Sequence, residues 1–496
     1  MADFSREELE KLISQLDENN RLDLSGKDLS GLDLSYLNFS HIVEDYPFFG
    51  NEWNDEIYMS TNFSNANLSG ANLEGTKLNN VNLSNANLNG VNLSHAYFQQ
   101  AFLGGADLTN AILLNTIALQ SFLEANFNST ILKNTDFSGS DLNGVNLCGY
   151  DLRRVKLRKA NLKKANLEGA NLEGVDLSNA DLEEANLKKS QLRGADLNGA
   201  YLYKANLEFA NLSLANLTNA CLRSANLKEA HLSNAVLVNT DLIYATLIKS
   251  DLTWANLLFA KLIESKLSLA DLSYANLTKA DLSKTCLSKA NLSNAILFKT
   301  NLCGANLMKS HLIDADFTFA DLTGATIVKA NFNRADLTRS NLTRTNGAIE
   351  IDSPDFPFIE VKSTDQYGLP NVPFKSLMER TTFENAKLEG ANFTEANLSG
   401  ADFKYAKLEG ANFTEANLSS ANFGGVKLEE ADFTNSIVSG TIMDEVIIAF
   451  NKMSKEEAIA KLKEAESLLN TGSMTHDDFI ILQLNLSGII LKDKLF

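Results

Sequence analysis

The chain has 496 residues, of which 44% are hydrophobic and 21% are charged, and its formal net charge is −18. No stretch approaches the roughly 18 consecutive apolar residues of a membrane-spanning helix, so we expect no membrane association. The N-terminal residues MADFSREELEKL are acidic and lack an apolar core, which argues against a secretory signal and favours a cytoplasmic protein. The four cysteines form no C-x-x-C pair, as is typical of free thiols in a reducing compartment.

The negative charge is distributed unevenly along the chain. Residues 1–126 carry 5 basic and 17 acidic side chains, residues 127–345 carry 26 and 21, and residues 346–496 carry 13 and 24. The corresponding net charges are −12, +5 and −11. Any functional argument from acidity therefore has to be made for each segment separately.

The first predicted element is a helix over residues 5–19. Ser5 and Glu8 have the spacing of a capping box, and Leu9, Leu12, Ile13 and Leu16 share one face of such a helix. We therefore assign residues 1–20 to an N-terminal helix that caps the element following it.

A five-residue repeat occupies the centre of the chain. From Phe127 to Leu342 every fifth residue is apolar, and the residue two positions earlier is small, most often Ala. A helix would scatter these side chains around its axis, because five residues advance it by about 500°. In an extended segment, residues two apart share a face, which explains the Ala-x-Leu pair. Since the next pair follows at an odd spacing, the chain must turn a corner between repeats and form a closed coil.

The length of one coil follows from a longer repeat. The sequence KLEGANFTEANLSG begins at Lys387, and KLEGANFTEANLSS begins 20 residues later at Lys407. Four five-residue repeats therefore complete one coil. Between Phe383 and Phe433 the repeat centres alternate strictly between Phe and Leu. A four-sided coil places like residues above one another in successive coils, whereas a three-sided coil would not.

Runs such as ANLKKANLEGANLEGVDLSNADLEEANL resemble the pentapeptide-repeat family. The resemblance implies an all-β solenoid, namely a right-handed quadrilateral β-helix. We count 4, 13, 44 and 11 repeats in four blocks, or 72 in all, which corresponds to 18 coils. The interior of this solenoid is predicted to contain the repeat centres, for example Leu162, Leu227, Leu282, Phe393 and Phe413.

The repeat is interrupted at three places. Residues 41–60 form an insertion rich in aromatic and acidic side chains, a one-residue register break lies near residues 123–127, and residues 346–380 contain four of the five prolines. We therefore predict two repeat blocks, residues 21–345 and 381–445, joined by the interruption. Residues 346–380 are either a loop on one continuous solenoid or a linker between two. In the first insertion, partner binding is predicted for Phe48, Phe49, Trp53 and Tyr58.

Residues 446–496 are predicted to form a helical tail. Ser454 with Glu457 and Thr475 with Asp478 fit two capping boxes. The stretch KLKEAESLLNTGSMTHDDF resembles short C-terminal oligomerisation motifs. That resemblance implies a homodimer that forms through these helices.

Apolar side chains also occupy outward positions between residues 243 and 274. They lie one or two positions after a repeat centre, where we expect exposure to solvent: Ile243, Tyr244, Ile248, Trp254, Leu258, Phe259, Ile263, Leu269 and Tyr274. Trp254 and Tyr274 are separated by four repeats and are predicted to stack in neighbouring coils. This surface is either a partner-binding site or an aromatic ladder that stabilises the coils.

Outward charges are predicted to pair between neighbouring coils. The basic run RRVKLRKANLKK covers residues 153–164, but Lys163 and Lys164 lie four repeats before Glu183 and Glu184. The same spacing relates Glu168 to Lys188. We therefore interpret the run as a solvated and partly paired surface, and direct nucleic-acid binding is not expected. Residues four repeats apart lie above one another and form a column along the coils. Phe319 lies in such a column between Lys299 and Arg339 and is predicted to form cation–π contacts.

No catalytic group, cofactor site or metal site is recognisable. Walker-type and dinucleotide-binding motifs are absent, and the five histidines do not cluster in the sequence. The sequence thus favours a non-enzymatic scaffold that binds an unidentified protein partner. The alternative comes from the family resemblance, since some members mimic duplex DNA and protect DNA gyrase. That mechanism requires a long acidic surface, whereas residues 127–345 carry a net charge of +5.

Overall fold

A computed structural model describes residues 2–16, 22–40, 61–119, 121, 125–346, 381–428, 430–438, 441 and 463. The chain divides into two compact units, an N-terminal unit, Met1–Thr246, and a C-terminal unit, Leu247–Phe496. Apart from residue 463, the predicted helical tail of residues 446–496 lies outside the described residues.

Within each unit, backbone pairing joins a residue to the one that lies four repeats later. Asn166 pairs in parallel with Asn186 in the N-terminal unit, and Asn276 pairs with Ile296 in the C-terminal unit. The amide of Leu167 donates to the carbonyl of Asn186 at 2.7 Å, while the amide of Asn186 donates to Ala165 at 2.9 Å. Neighbouring coils are thus joined by parallel β-bridges. The predicted coil of four repeats is confirmed, and the architecture is a β-helical solenoid.

The interior of each unit contains the repeat centres and the small residues that precede them. Leu162 and Leu227 in the N-terminal unit are fully buried, as are Leu282, Phe393 and Phe413 in the C-terminal unit. Burial of one such side chain contributes about 1.5–3 kcal/mol to stability. The core is therefore a column of side chains that runs along the inside of the coils.

The residue before each repeat centre is usually Asn or Asp because its side chain makes two kinds of hydrogen bond. The oxygen Oδ1 of Asn161 accepts from the amide of Lys163 at 3.2 Å, which closes the turn after the repeat centre. The side-chain nitrogen of Asn166 donates to Asn146 Oδ1 in the preceding coil at 3.0 Å. These side chains thus stabilise the turn and form a ladder along the outside of the coils.

The N-terminal helix α1 spans Arg6–Ser14 and begins with the predicted capping box between Ser5 and Glu8. Arg6 donates to the carbonyl of Asp33 at 3.0 Å and to that of Ser35 at 3.1 Å, so the helix lies against the first coil. Two short strands follow, β1 at Leu22–Asp23 and β2 at Thr61–Asn62. They pair in parallel and begin the bridges between the first two coils.

Both long interruptions lie between coils that stack directly on each other. Asn38 pairs with Lys77 in the next coil, although residues 41–60 lie between them in the sequence. Asn331 pairs with Thr382 in the same way, although residues 347–380 lie between them. Within the C-terminal unit, the repeats on either side of residues 347–380 therefore belong to one stack.

The register break produces one coil that is a single residue short. Ile112 pairs with Ile131, one position before its regular partner, whereas Asp136 pairs with Lys156 at the regular spacing. In the next coil, Tyr150 occupies a position that a small residue fills in other repeats. Its hydroxyl donates to the carbonyl of Phe127 and accepts from the amide of Thr130. The Tyr150 side chain therefore satisfies two backbone groups beside the shortened coil.

Candidate functional site

The second residue after each repeat centre forms a corner of the coil, and these residues are called corners below. Almost all of the described corners have a positive φ angle, for example 60° at Trp254 and 61° at Tyr274, and Arg154 is an exception. Glycine and asparagine adopt this conformation most easily, whereas bulky side chains adopt it rarely. The amide of Trp254 donates to the carbonyl of Ser273 at 3.1 Å, so the hydrogen bonds between coils hold the corner in place. A corner side chain therefore projects outward from a fixed backbone.

Trp254 and Tyr274 form a stacked pair on the surface of the C-terminal unit. Their ring centroids are 4.3 Å apart and the ring planes differ by only 5°. The side chains remain 59% and 44% exposed, respectively. The predicted stack is confirmed, and the structure brings these two candidate residues together at corners of successive coils.

The apolar residues of the same region differ in exposure according to their position in the repeat. The corners Phe259 and Leu269 are 46% and 48% exposed. The residues that lie one position earlier in their repeats are half-buried rather than exposed as predicted, namely Ile243, Ile248, Leu258 and Ile263. Between residues 243 and 274 the strongly exposed apolar side chains are therefore the corners, namely Tyr244, Trp254, Phe259, Leu269 and Tyr274.

Phe319 illustrates how a corner ring is held by charge. The Nζ atom of Lys299 lies 5.6 Å from its centroid, and the guanidinium carbon of Arg339 lies 5.7 Å from it. Phe298 packs edge-on against the same ring, with the centroids 5.9 Å apart. The predicted cation–π contacts are confirmed, and this ring is engaged within the column.

The basic run of residues 153–164 does not form one patch, because consecutive repeats lie on different sides of the coil. Arg153 pairs with Asp151 at 2.7 Å, and the hydrogen bond from Arg153 lowers the pKa of Asp151 to about 2. Lys163 pairs with Glu183 at 3.1 Å and with Asp181 at 3.4 Å. The coil thus spreads the cations and provides acidic partners for some of them.

Two pairings differ from the predicted ones. No ion pair joins Lys164 to Glu184 among the described residues, whereas Glu173 binds Arg193 in the next coil at 3.1 Å. Lys188 binds Glu208 at 3.0 Å, and Glu168 instead accepts a hydrogen bond from Asn186. The column spacing determines which residues are neighbours, but each long side chain can reach either of two neighbouring coils.

Glu208 lies at the centre of a charged column in the N-terminal unit. Lys188 binds it at 3.0 Å and Lys228 binds it at 3.4 Å. The hydrogen bond from Lys188 lowers the pKa of Glu208, and Lys228 lowers it further against the opposing effect of burial. Both ammonium groups also lie 5.9 Å from the centroid of Phe209. This column joins three coils and is a stabilising feature.

The described residues show no arrangement suited to catalysis. Among them, no three His, Cys, Asp or Glu side chains are close enough to hold a metal ion. All four cysteines are free. Burial raises the pKa of Cys303 to about 11, and a hydrogen bond with Asp321 contributes to the rise, so this thiol stays protonated at neutral pH.

The remaining predicted binding residues cannot be placed in the same way. Phe48, Phe49, Trp53 and Tyr58 lie outside the described residues. In the part of the chain that the structure covers, no helix is long and apolar enough to cross a membrane.

The repeat pattern and the coil match a known family. The family model of pentapeptide repeats (8 copies) matches residues 59–117, 121–346 and 376–448. No match was found among curated protein sequences. One similar solved structure is HetL from the cyanobacterium Nostoc sp. strain PCC 7120, a pentapeptide repeat protein involved in heterocyst differentiation regulation. It is 27% identical over 60% of this chain and 94% of its own length, with a TM-score of 0.20.

Two further similar structures have lower sequence identity. A pentapeptide repeat protein from the thylakoid lumen of Arabidopsis thaliana is 23% identical, over 25% of this chain and 69% of its own, with a TM-score of 0.14. QnrB1, a plasmid-mediated fluoroquinolone resistance protein, is 12% identical over 52% of this chain and 87% of its own, with a TM-score of 0.17. The extent of the family match, together with the five-residue register, shows that the chain belongs to the pentapeptide repeat family.

Proposed function

We propose that this protein is a non-enzymatic scaffold that binds protein partners through side chains on the outside of its coils. The observation that carries the proposal is the exposed pair of Trp254 and Tyr274, which are stacked at 4.3 Å. The hydrogen bonds between coils fix both corners, so the two rings are held in place before a partner arrives. Such preorganisation lowers the entropic cost of binding.

The surroundings of the pair favour a protein partner. Phe259 and Leu269 add exposed apolar surface at corners of the same unit. Asp251 and Asp271, on the same side of the coil as the pair, accept hydrogen bonds from Thr253 and Ser273. Aromatic side chains surrounded by polar groups resemble the composition of binding hot spots. Stacking of the rings stabilises the coils by about 0.5–1.5 kcal/mol. A role in stacking alone would not require half of each ring to remain exposed to solvent.

A second candidate surface comes from the sequence of residues 41–60. Phe48, Phe49, Trp53 and Tyr58 accompany five carboxylates in this insertion. The coils on either side pair directly, so the repeat itself does not need these residues. We propose that the insertion is a second contact site for partners.

The proposed scaffold works in the reducing environment of the cytoplasm, where its four free cysteines remain thiols. Residues 446–496, which the sequence predicts to be helical, are proposed to join two copies. Sedimentation of the full chain and of a chain ending at residue 445 would test this assembly. A dimer that persists without the tail would contradict it.

The binding proposal is tested with the double variant Trp254→Ala/Tyr274→Ala. Tagged full-length protein is used to capture partners from its native cells, and the captured proteins are quantified by mass spectrometry. Tyr405→Ala is the matched control, because Tyr405 is also a corner of the C-terminal unit and is 51% exposed. We expect at least one partner that binds the wild type and the control but not the double variant. Identical capture by all three proteins would contradict the role of this pair.

A further inference from the structure

One corner of the C-terminal unit carries lysine in three successive coils. This lysine corner consists of Lys289, Lys309 and Lys329, which have φ angles of 60°, 58° and 57°. The amide of Lys289 donates to the carbonyl of Met308 at 2.8 Å, and the amide of Lys309 donates to Val328 at 2.9 Å. The three side chains therefore project from one edge of the stack, spaced by about 4.8 Å, the distance between neighbouring strands.

No carboxylate belongs to the three segments that carry the lysine corner, whereas Asp271 pairs with Asn291 in the coil before them and Glu384 contacts Asn333 in the coil after them. Residues 285–293, 305–313 and 325–333 form the surface on both sides of it, and none of them is Asp or Glu. The three segments lie directly above one another, since Cys286, Asn306 and Thr326 pair in series on one side. On the other side His311 pairs with both of its neighbours, Asn291 and Asn331. In the sequence, the absence of Asp and Glu from these three segments is visible only when segments four repeats apart are aligned.

Other corner cations of the same unit are already engaged. Lys284 lies 3.6 Å from a carboxylate oxygen of Glu264, and Lys299 lies over the ring of Phe319. By contrast, Lys289 and Lys309 have neither a carboxylate partner nor an aromatic ring beneath them in the described part of the chain. Their charges are therefore available for an external anionic group.

The lysine corner also has an apolar component. Met308, Val328 and Ile313 are half-buried beside it, and Leu269 occupies the same corner one coil before Lys289, with 48% of its surface exposed. The surface thus combines ammonium groups with short apolar strips. A ligand that complements it carries negative charge together with apolar groups.

We propose that Lys289 and Lys309 in the lysine corner bind an acidic polypeptide segment that also carries apolar side chains. Single-stranded nucleic acid fits less well, because its bases stack on aromatic side chains and the described surface beside Lys289 and Lys309 offers only the imidazole of His311. Lysine supplies compact positive charges on flexible stems, which suit carboxylates at varied positions. The inference does not depend on the Trp254–Tyr274 pair, which lies on other corners.

The test measures fluorescence anisotropy of a labelled oligoglutamate peptide with the full chain at low salt. The decisive variant is Lys289→Glu/Lys309→Glu. The matched control is Lys279→Glu/Lys299→Glu, which changes the net charge equally on another corner of the same unit. Circular dichroism verifies that both variants remain folded, as expected since Glu264 already occupies a corner with a positive φ.

We expect the decisive variant to bind oligoglutamate at least about tenfold more weakly than the wild type, because its new negative charges repel the ligand. The control variant should bind with an affinity within roughly twofold of that of the wild type. Binding of the wild type should also weaken as salt is added. Absence of oligoglutamate binding, or equal weakening in both variants, would overturn the proposal. If labelled oligothymidylate binds more tightly than oligoglutamate and is weakened by the same variant, the ligand of this surface is a nucleic acid and not a polypeptide.

Discussion

Phe332 and Phe383 stack with their centroids 5.0 Å apart and their planes inclined by 13°, although residues 347–380 lie between them in the sequence. The next member of the column, Phe403, stacks on Phe383 at 4.8 Å and 6°, and these two residues are separated by the regular four repeats. The two contacts have nearly the same geometry. The interruption between residues 346 and 381 therefore leaves the packing of the column unchanged.

The coils on either side of the first insertion also pair directly, and this predicts the outcome of a deletion within that insertion. Removal of residues 41–59 would place Asn38 and Lys77 four repeats apart, as in the regular coils. We expect the deletion variant to fold, with a thermal midpoint close to that of the wild type, and to lose partners that depend on Phe48 or Trp53. A clear drop in the thermal midpoint by circular dichroism would show that the insertion covers and stabilises the first coils instead.

The inward position of the repeat centre is tested by introducing a charge there. Leu287 is fully buried, whereas Lys289 in the same repeat is exposed. Leu287→Asp should lower the free energy of unfolding by about 3 kcal/mol or more, because an unpaired carboxylate would be buried. Lys289→Asp should change it by less than about 0.5 kcal/mol. Urea unfolding measures both variants, and equal midpoints would be incompatible with the buried assignment.

The phenylalanine columns near residues 383–433 predict a dependence on ring packing. Phe403 is fully buried and stacks on Phe423 at 4.9 Å as well as on Phe383. Phe403→Ala should cost about 3–5 kcal/mol of stability because it leaves a cavity between two rings. Phe403→Leu should cost less, since leucine occupies the centres of the alternate repeats. If the two variants unfold at the same urea concentration, the stack makes no specific contribution.

The charged column around Glu208 predicts a pH-dependent effect. The lowered pKa of Glu208 means that its ion pairs stabilise the fold above its ordinary pKa of 4.5. This contribution is lost as the pH falls through the lower pKa of the folded state. Glu208→Gln should therefore be less stable than the wild type at pH 7, and the difference should shrink in acid.

Thermal midpoints of Glu208→Gln and the wild type between pH 7 and pH 3 provide the measurement. Glu415→Gln serves as the control, because Glu415 is an exposed corner without an ion pair in the described residues. The control should follow the wild type throughout. A difference for Glu208→Gln that is the same at every pH would argue against the ion pairs as its cause.

The scaffold proposal also predicts the result of a gyrase assay with the full chain. A DNA mimic needs a continuous acidic surface. Here Glu208 lies between two lysines, and Asp181 and Glu183 share Lys163. We therefore expect no inhibition of DNA supercoiling over a broad range of protein concentration. Inhibition that weakens with added salt would instead favour gyrase binding.

The sequence predicts those features of the protein that depend only on the column register. The stack of Trp254 on Tyr274 and the position of Phe319 between two cations follow from a spacing of four repeats. The partner of Arg153 could not be predicted, because two carboxylates lie within reach of its flexible side chain. The bonds of Tyr150 were also missed, since they depend on the backbone of the shortened coil.

Corner residues tolerate very different side chains on one backbone conformation. Trp254, Glu264, Lys289 and Gly304 all have φ angles between 55° and 67°. The corners therefore form a regular grid on the surface of the coils. A substitution at one corner changes the chemistry at that position without shifting the neighbouring corners. Along one edge the grid spacing is that of the coils, and around the coil it is one repeat. Insertion of one four-repeat coil would move two surface groups apart by one strand spacing, so that their separation could be adjusted while each group remained intact.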